Sequence, residues 1–131
     1  MNVVLTQQFA PGLDNPRNSE GAFIRAKNGD ILFASSRYHG ESCHDHATCD
    51  IWLTRSHDEG NTWSEPKELA NAAFFGVDNI MSVSAVEQND GAIGFYYLIK
   101  EIIIFTKQKK EDLKNLTNLY YYINYQFSSD F

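Results

Sequence analysis

The side chains best suited to chemistry gather in one loop, Gly40-Glu41-Ser42-Cys43-His44-Asp45-His46-Ala47-Thr48-Cys49. Cys43, His44, His46 and Cys49 are all zinc-ligand types and fall within seven residues. Zinc sites, however, usually join one close ligand pair to a distant second pair, and the chain offers no second pair. A His-x-His pair alone could hold a metal only weakly, so no metal and no cofactor is expected. Asp45 sits in the middle of the loop. A carboxylate there can hold a proton at neutral pH once a ligand desolvates it; the plain alternative is a solvated loop aspartate. Arg17 and Arg37 add planar guanidinium forks, which pair with carboxylates bidentately.

These side chains need a scaffold, and its clearest signature is Ser56-His57-Asp58-Glu59-Gly60-Asn61-Thr62-Trp63. Asp58 can cap backbone N–H groups of a tight turn, and Gly60 can take positive φ without a Cβ clash. Ser56 can bond across the same turn, Thr62 restarts the strand, and Trp63 lies beneath as a small satellite core. Before the turn, residues 50–55 alternate polar and apolar over a strand's length. Further upstream, residues 21–26 and 31–36 read as strands about Asn28-Gly29, a strong hairpin signal. A short strand at Val3-Val4-Leu5 precedes turn chemistry from Pro11 to Pro16. A strand to about Leu69 completes a first four-stranded unit. Residues 79–86 and 93–99 then flank a second turn, Asn89-Asp90-Gly91. The two hairpins share a layout, which reads as a weak internal repeat of blade size.

Ser56, Asp58, Gly60, Thr62 and Trp63 spell Ser-x-Asp-x-Gly-x-Thr-Trp. This resembles the Asp-box, or BNR repeat, of the sialidase (neuraminidase) superfamily. The resemblance covers about residues 15–100. It implies a six-bladed β-propeller with Asp-boxes on outer hairpin turns, so these five residues are structural and lie away from any active site. It also implies a parent activity, the exo-hydrolysis of a terminal sialic acid or similar acidic sugar from a glycan. Pro16-Arg17-Asn18-Ser19-Glu20-Gly21 looks like the lead-in to the first blade. Catalytic members carry Arg-Ile-Pro there, and its Arg clamps the sugar carboxylate. This chain has no Arg-Ile-Pro; Arg17 is the nearest candidate, with Ser19 closer to register. Glu20 is expected to orient Arg17 or touch a sugar hydroxyl, unless it is simply solvated. Arg37 matches a substrate-binding Arg at the end of the return strand. Asp45 matches the Asp that acts as general acid/base on the glycosidic oxygen, and Asp50 a structural cap. Met81 and Ser82 could line the pocket, with core packing the plainer role for Met81. The mechanism also needs a Tyr nucleophile, an activating Glu and two further Arg residues, which the family draws from later blades. Tyr120-Tyr121-Tyr122 lies outside the family context and is assigned no role.

With 131 residues the chain has the size of one ordinary domain, and 43% hydrophobic residues suffice for a packed core. A net charge of −6 argues against nucleic acid or an anionic membrane as partner. Two cysteines are too few for a disulfide framework. No basic, apolar leader is seen, and no apolar run approaches the roughly 20 residues that cross a bilayer. The default location is the cytoplasm, although members of the family are often exported. From Lys100 onward there is no Gly or Pro, and Lys, Asn, Ile and Tyr dominate. Residues 111–122 could form an amphipathic helix with Leu113, Leu116, Leu119 and Tyr120 on one side.

The expected fold is therefore all-β: a partial β-propeller of about one and a half blades. Residues 1–100 form the sialidase-like unit, and 101–131 an unrelated tail, helical or disordered, of the kind a frameshift leaves. The partner is a glycan. An open sheet edge invites self-association. Hydrolysis by this chain alone is not expected. The alternatives are a non-catalytic carbohydrate- or partner-binding β domain and a non-functional truncated gene product.

Overall fold

The computed structural model describes residues 5–100 and, as backbone, a strand at residues 120–127. The chain is all-β. Its strands are β1 (Asn18–Arg25), β2 (Ile31–Tyr38), β3 (Cys49–Ser56), β4 (Lys67–Ala70), β5 (Asn79–Glu87), β6 (Ile93–Lys100) and β7 (Tyr120–Phe127). One turn of 3-10 helix, Ala72–Phe75, precedes β5. The strands form an open mixed sheet in the order β1-β2-β3-β5-β6-β7, with β4 also pairing β3.

Within that sheet are two antiparallel meanders, β1 to β4 and β5 to β7. A parallel pairing of β3 with β5 at Cys49 and Asn79 connects them. One ladder position contributes only about 1 kcal/mol, so side-chain burial must hold the meanders together. Ala34 and Ile51 from the first and Ile80, Val83, Ile93, Phe95, Tyr97 and Ile99 from the second share one core. Each fully buried Ile or Phe is worth roughly 1.5–3 kcal/mol. The period of two in a strand explains the sorting: on β2, Ala34, Ser36 and Tyr38 are buried, while Phe33, Ser35 and Arg37 are half-buried.

The two hairpin turns are built alike. Ala26 N–H donates to Asp30 O at 2.8 Å and Gly29 N–H to Ala26 O at 2.9 Å; Gln88 N–H donates to Ala92 O at 2.8 Å and Gly91 N–H to Gln88 O at 2.9 Å. In each, a side-chain oxygen accepts the N–H two residues on: Asn28 Oδ1 from Asp30 at 3.1 Å, and Asp90 Oδ1 from Ala92 at 2.9 Å. Gly29 and Gly91 take φ of 94° and 87°, which glycine alone adopts freely. Each leading strand is irregular at the same remove from its turn, between Ser19 and Gly21 in β1 and between Met81 and Ser84 in β5.

The 56–63 turn is held by its own side chains. Ser56 Oγ accepts from Gly60 N–H at 2.8 Å and donates to Asp58 Oδ1 at 2.9 Å. Asp58 accepts from Thr62 N–H at 2.8 Å and from the Thr62 hydroxyl at 2.6 Å. Gly60 sits at φ 85°, and Trp63 Nε1 donates to Gly60 O at 3.1 Å. Trp63 meets Phe23 edge-on at 6.1 Å.

Four expectations need correction. Thr62 does not restart a strand, because Asp58 takes both its donors; β4 begins at Lys67, after Pro66. No strand forms over residues 5–10, and 1–4 lie outside the described residues. Of the expected helix over 111–122, Tyr120, Tyr121 and Tyr122 belong to β7, and the rest lies outside the described residues. Tyr and Ile favour strands, in keeping with β7. The tail, expected to be helical or disordered, contributes β7, which pairs β6 in register from Ile93–Phe127 to Lys100–Tyr120. Among the described residues no helix is long and apolar enough to cross a membrane.

Candidate functional site

The start of β1, the end of β2, the start of β5 and the end of β6 meet at one end of the sheet, where Asn18 faces Arg37 and Asn79 faces Lys100. The loop between β2 and β3 lies over this end. Three expected site residues converge there. Arg17 Nη1 donates to Asp45 Oδ1 at 2.5 Å and to Cys43 O at 3.1 Å, and Nη2 lies 3.7 Å from Glu20 Oε1. The guanidinium rests over the Tyr38 ring, 4.6 Å from its centroid, while Tyr38 N–H donates to Arg17 O at 2.9 Å. Glu20 accepts from the Ser19 hydroxyl at 2.5 Å.

The second meander holds the other side of Asp45. Lys100 Nζ donates to the Asp45 carbonyl at 3.0 Å, and Asn79 Nδ2 to the same oxygen at 3.4 Å and to Ala47 O at 2.6 Å. Counted from the turn glycine, Arg17 and Asn79 occupy matching positions in the two hairpins, as do Tyr38 and Lys100. One repeat therefore grips the Asp45 carboxylate and the other grips its backbone.

The Arg17 guanidinium holds the Asp45 carboxyl below the usual aspartate range, and Asp45 in turn raises Arg17. Asp45 is 64% exposed. Paired with Arg17, it is ionised. Tyr38 is fully buried, and burial pushes its phenol up; its hydroxyl faces Met81 Sδ at 3.7 Å. It supports Arg17 as a neutral ring.

Arg37 does not join this group. As the neighbour of Tyr38 on a strand it faces the other way, and its guanidinium stacks on Trp52 at 4.3 Å. There it borders a hollow of about 300 Å3 with Phe9 and Phe33. Met81 is buried against Tyr38 and Cys49. Ser82 is exposed at φ 58°, its N–H donating to Ser36 Oγ at 3.0 Å. Asp50 caps: its Oδ1 accepts Ala72 N–H at 2.7 Å, and its Oδ2 lies 2.8 Å from His39 Nε2. The cysteines part company, Cys43 exposed and Cys49 buried in β3. Burial, then Asp50, pushes the Cys49 thiol up to about 12. Among the described residues no three His, Cys, Asp or Glu side chains gather to hold a metal.

Sequence reasoning missed Tyr38, Asn79 and Lys100. Period two placed Tyr38 opposite Arg37 and was the available signal; the reach of Lys100 across 55 residues had none. Against known proteins, no family model matches the chain, and no curated protein matches it.

Proposed function

We propose that this chain is a sialidase-like β unit that binds a terminal acidic sugar of a glycan at Arg17 and does not hydrolyse it by itself. The observation that carries this reading is the Arg17 clamp: a guanidinium seated on the Tyr38 ring, already holding one carboxylate, Asp45, at the exposed end of the sheet. An incoming sugar carboxylate exchanges with Asp45. Asp45 then loses the cation that keeps it ionised, and its pKa rises toward the range of a proton donor. Glu20 and Ser19 stand beside it for sugar hydroxyls.

Supporting the propeller reading are the two stacked meanders with like-built turns and the self-bonded turn around Asp58. Turnover needs a nucleophile, and the Tyr of this site is buried with its phenol pushed up. The test pairs two measurements on the whole chain. N-acetylneuraminate should bind with a Kd of about 1 mM, as one Arg–carboxylate clamp permits, while a fluorogenic sialoside stays intact. Hydrolysis abolished by Asp45→Ala would overturn the non-catalytic half of the reading; absence of binding would overturn the rest.

A further inference from the structure

A second concavity lies at the opposite end of the sheet. Asp30 precedes β2 and Tyr38 ends it, so about 25 Å of strand separates this place from Asp45. Between the two hairpin turns the meanders leave a cleft of about 530 Å3, floored by Leu32, Leu53, Leu69, Ile93 and Phe95. Small-molecule sites have this size and build: mostly apolar, with a few polar groups fixing one end.

The polar end is organised by Asp30, which is only 6% exposed. Its carboxylate accepts from Arg55 Nε at 2.8 Å, from Arg55 Nη2 and from Asn28 Nδ2 at 2.7 Å, and lies 2.7 Å from His57 Nδ1. His57, its ring 68% exposed, stands beside this carboxylate. Lys67 stands on the same rim with no ion-pair partner shown among the described residues. On the far side Lys27 crosses Gly91, where an added Cβ would come within 2.6 Å of its Nζ, and it lies 3.6 Å from Glu87. The rim thus carries Lys27, Arg55 and Lys67 against Asp30, Asp90 and the Glu87 that pairs Lys27.

We propose that this cleft binds a small amphipathic carboxylate, its apolar body along the leucines and Phe95 and its carboxylate at Lys67. The inference is independent of the Arg17 clamp. Apolar area supplies most of the affinity, and Lys67 distinguishes an acid from an alcohol of equal length.

The test titrates the whole 15N-labelled chain with sodium octanoate and, separately, with 1-octanol. Octanoate should saturate below about 5 mM, moving amide signals of Leu32, Leu53, Leu69, Ile93 and Phe95. Octanol should bind about fivefold more weakly, the size of one exposed charge contact. Lys67→Glu should weaken octanoate and leave octanol unchanged; Lys67→Gln, which only removes the charge, should act in the same direction. Any of three results overturns the proposal: no saturation, equal affinity for acid and alcohol, or shifts centred on the exposed Phe23 instead of the cleft.

Discussion

Arg17 and Asp45, 28 residues apart, meet at 2.5 Å on the open end of the sheet. Under the proposed reading, the pair gives the site two states. Joined, it is a neutral, self-satisfied ion pair; parted by a competing carboxylate, it becomes a clamp and a free aspartate.

Asp45→Asn removes the internal competitor and should tighten N-acetylneuraminate by about three- to tenfold, within the range of an exposed or partly exposed ion pair. Arg17→Ala should abolish binding. Arg17→Lys keeps the charge but loses the fork, and should fall between. Amide-shift titration reads all three.

The acid limb of stability should be steep and traceable. Asp30, Asp45, Asp58 and Glu59 are all lowered, by Arg55, Arg17, Thr62 and Arg25 respectively as first cause. A carboxylate lowered in the folded state stabilises the fold above its unfolded pKa, near 4, and that contribution is lost as pH falls through the folded value. Urea midpoints should therefore be level from neutrality to about pH 5 and drop below about pH 4. Asp30→Asn should lower the neutral midpoint and flatten the drop.

Ser56→Ala should cost about 1–3 kcal/mol, because the Gly60 N–H loses its acceptor in a place where Ser56 is 1% exposed. Gly60→Ala should cost about 1 kcal/mol or more, since alanine is strained at φ 85°. Chemical unfolding measures both.

Only one thiol should react in the folded chain. Cys43 is exposed, whereas Cys49 is buried with its thiol pushed up to about 12 and little of it present as reactive thiolate. An aromatic disulfide reagent should titrate one group natively and both in denaturant; rapid modification of Cys49 in the native chain would contradict this burial.

What could be read in the sequence follows the range of the contacts. The Asp58–Thr62 and Ser56–Gly60 bonds span four residues, so side-chain chemistry and glycine placement sufficed to foresee them. The strands of both hairpins were legible from alternation and the Asn28-Gly29 and Asp90-Gly91 turns. Arg17, Glu20 and Asp45 were reached through family resemblance, and the structure brings them together. Arg37 lies apart from them, over Trp52, on the face that the period of two puts opposite Tyr38. The Lys100 contact to Asp45 and the pairing of Tyr120 with Lys100 were not legible, since each depends on how the two meanders stack or extend.

The most direct test of the carboxylate clamp compares N-acetylneuraminate with its methyl ester, which keeps the sugar and removes the charge. The free acid should bind saturably and move the amide signals of Arg17, Asp45 and Lys100, while the ester leaves them in place. Equal binding of acid and ester, or binding of the acid that survives Arg17→Ala, would contradict it.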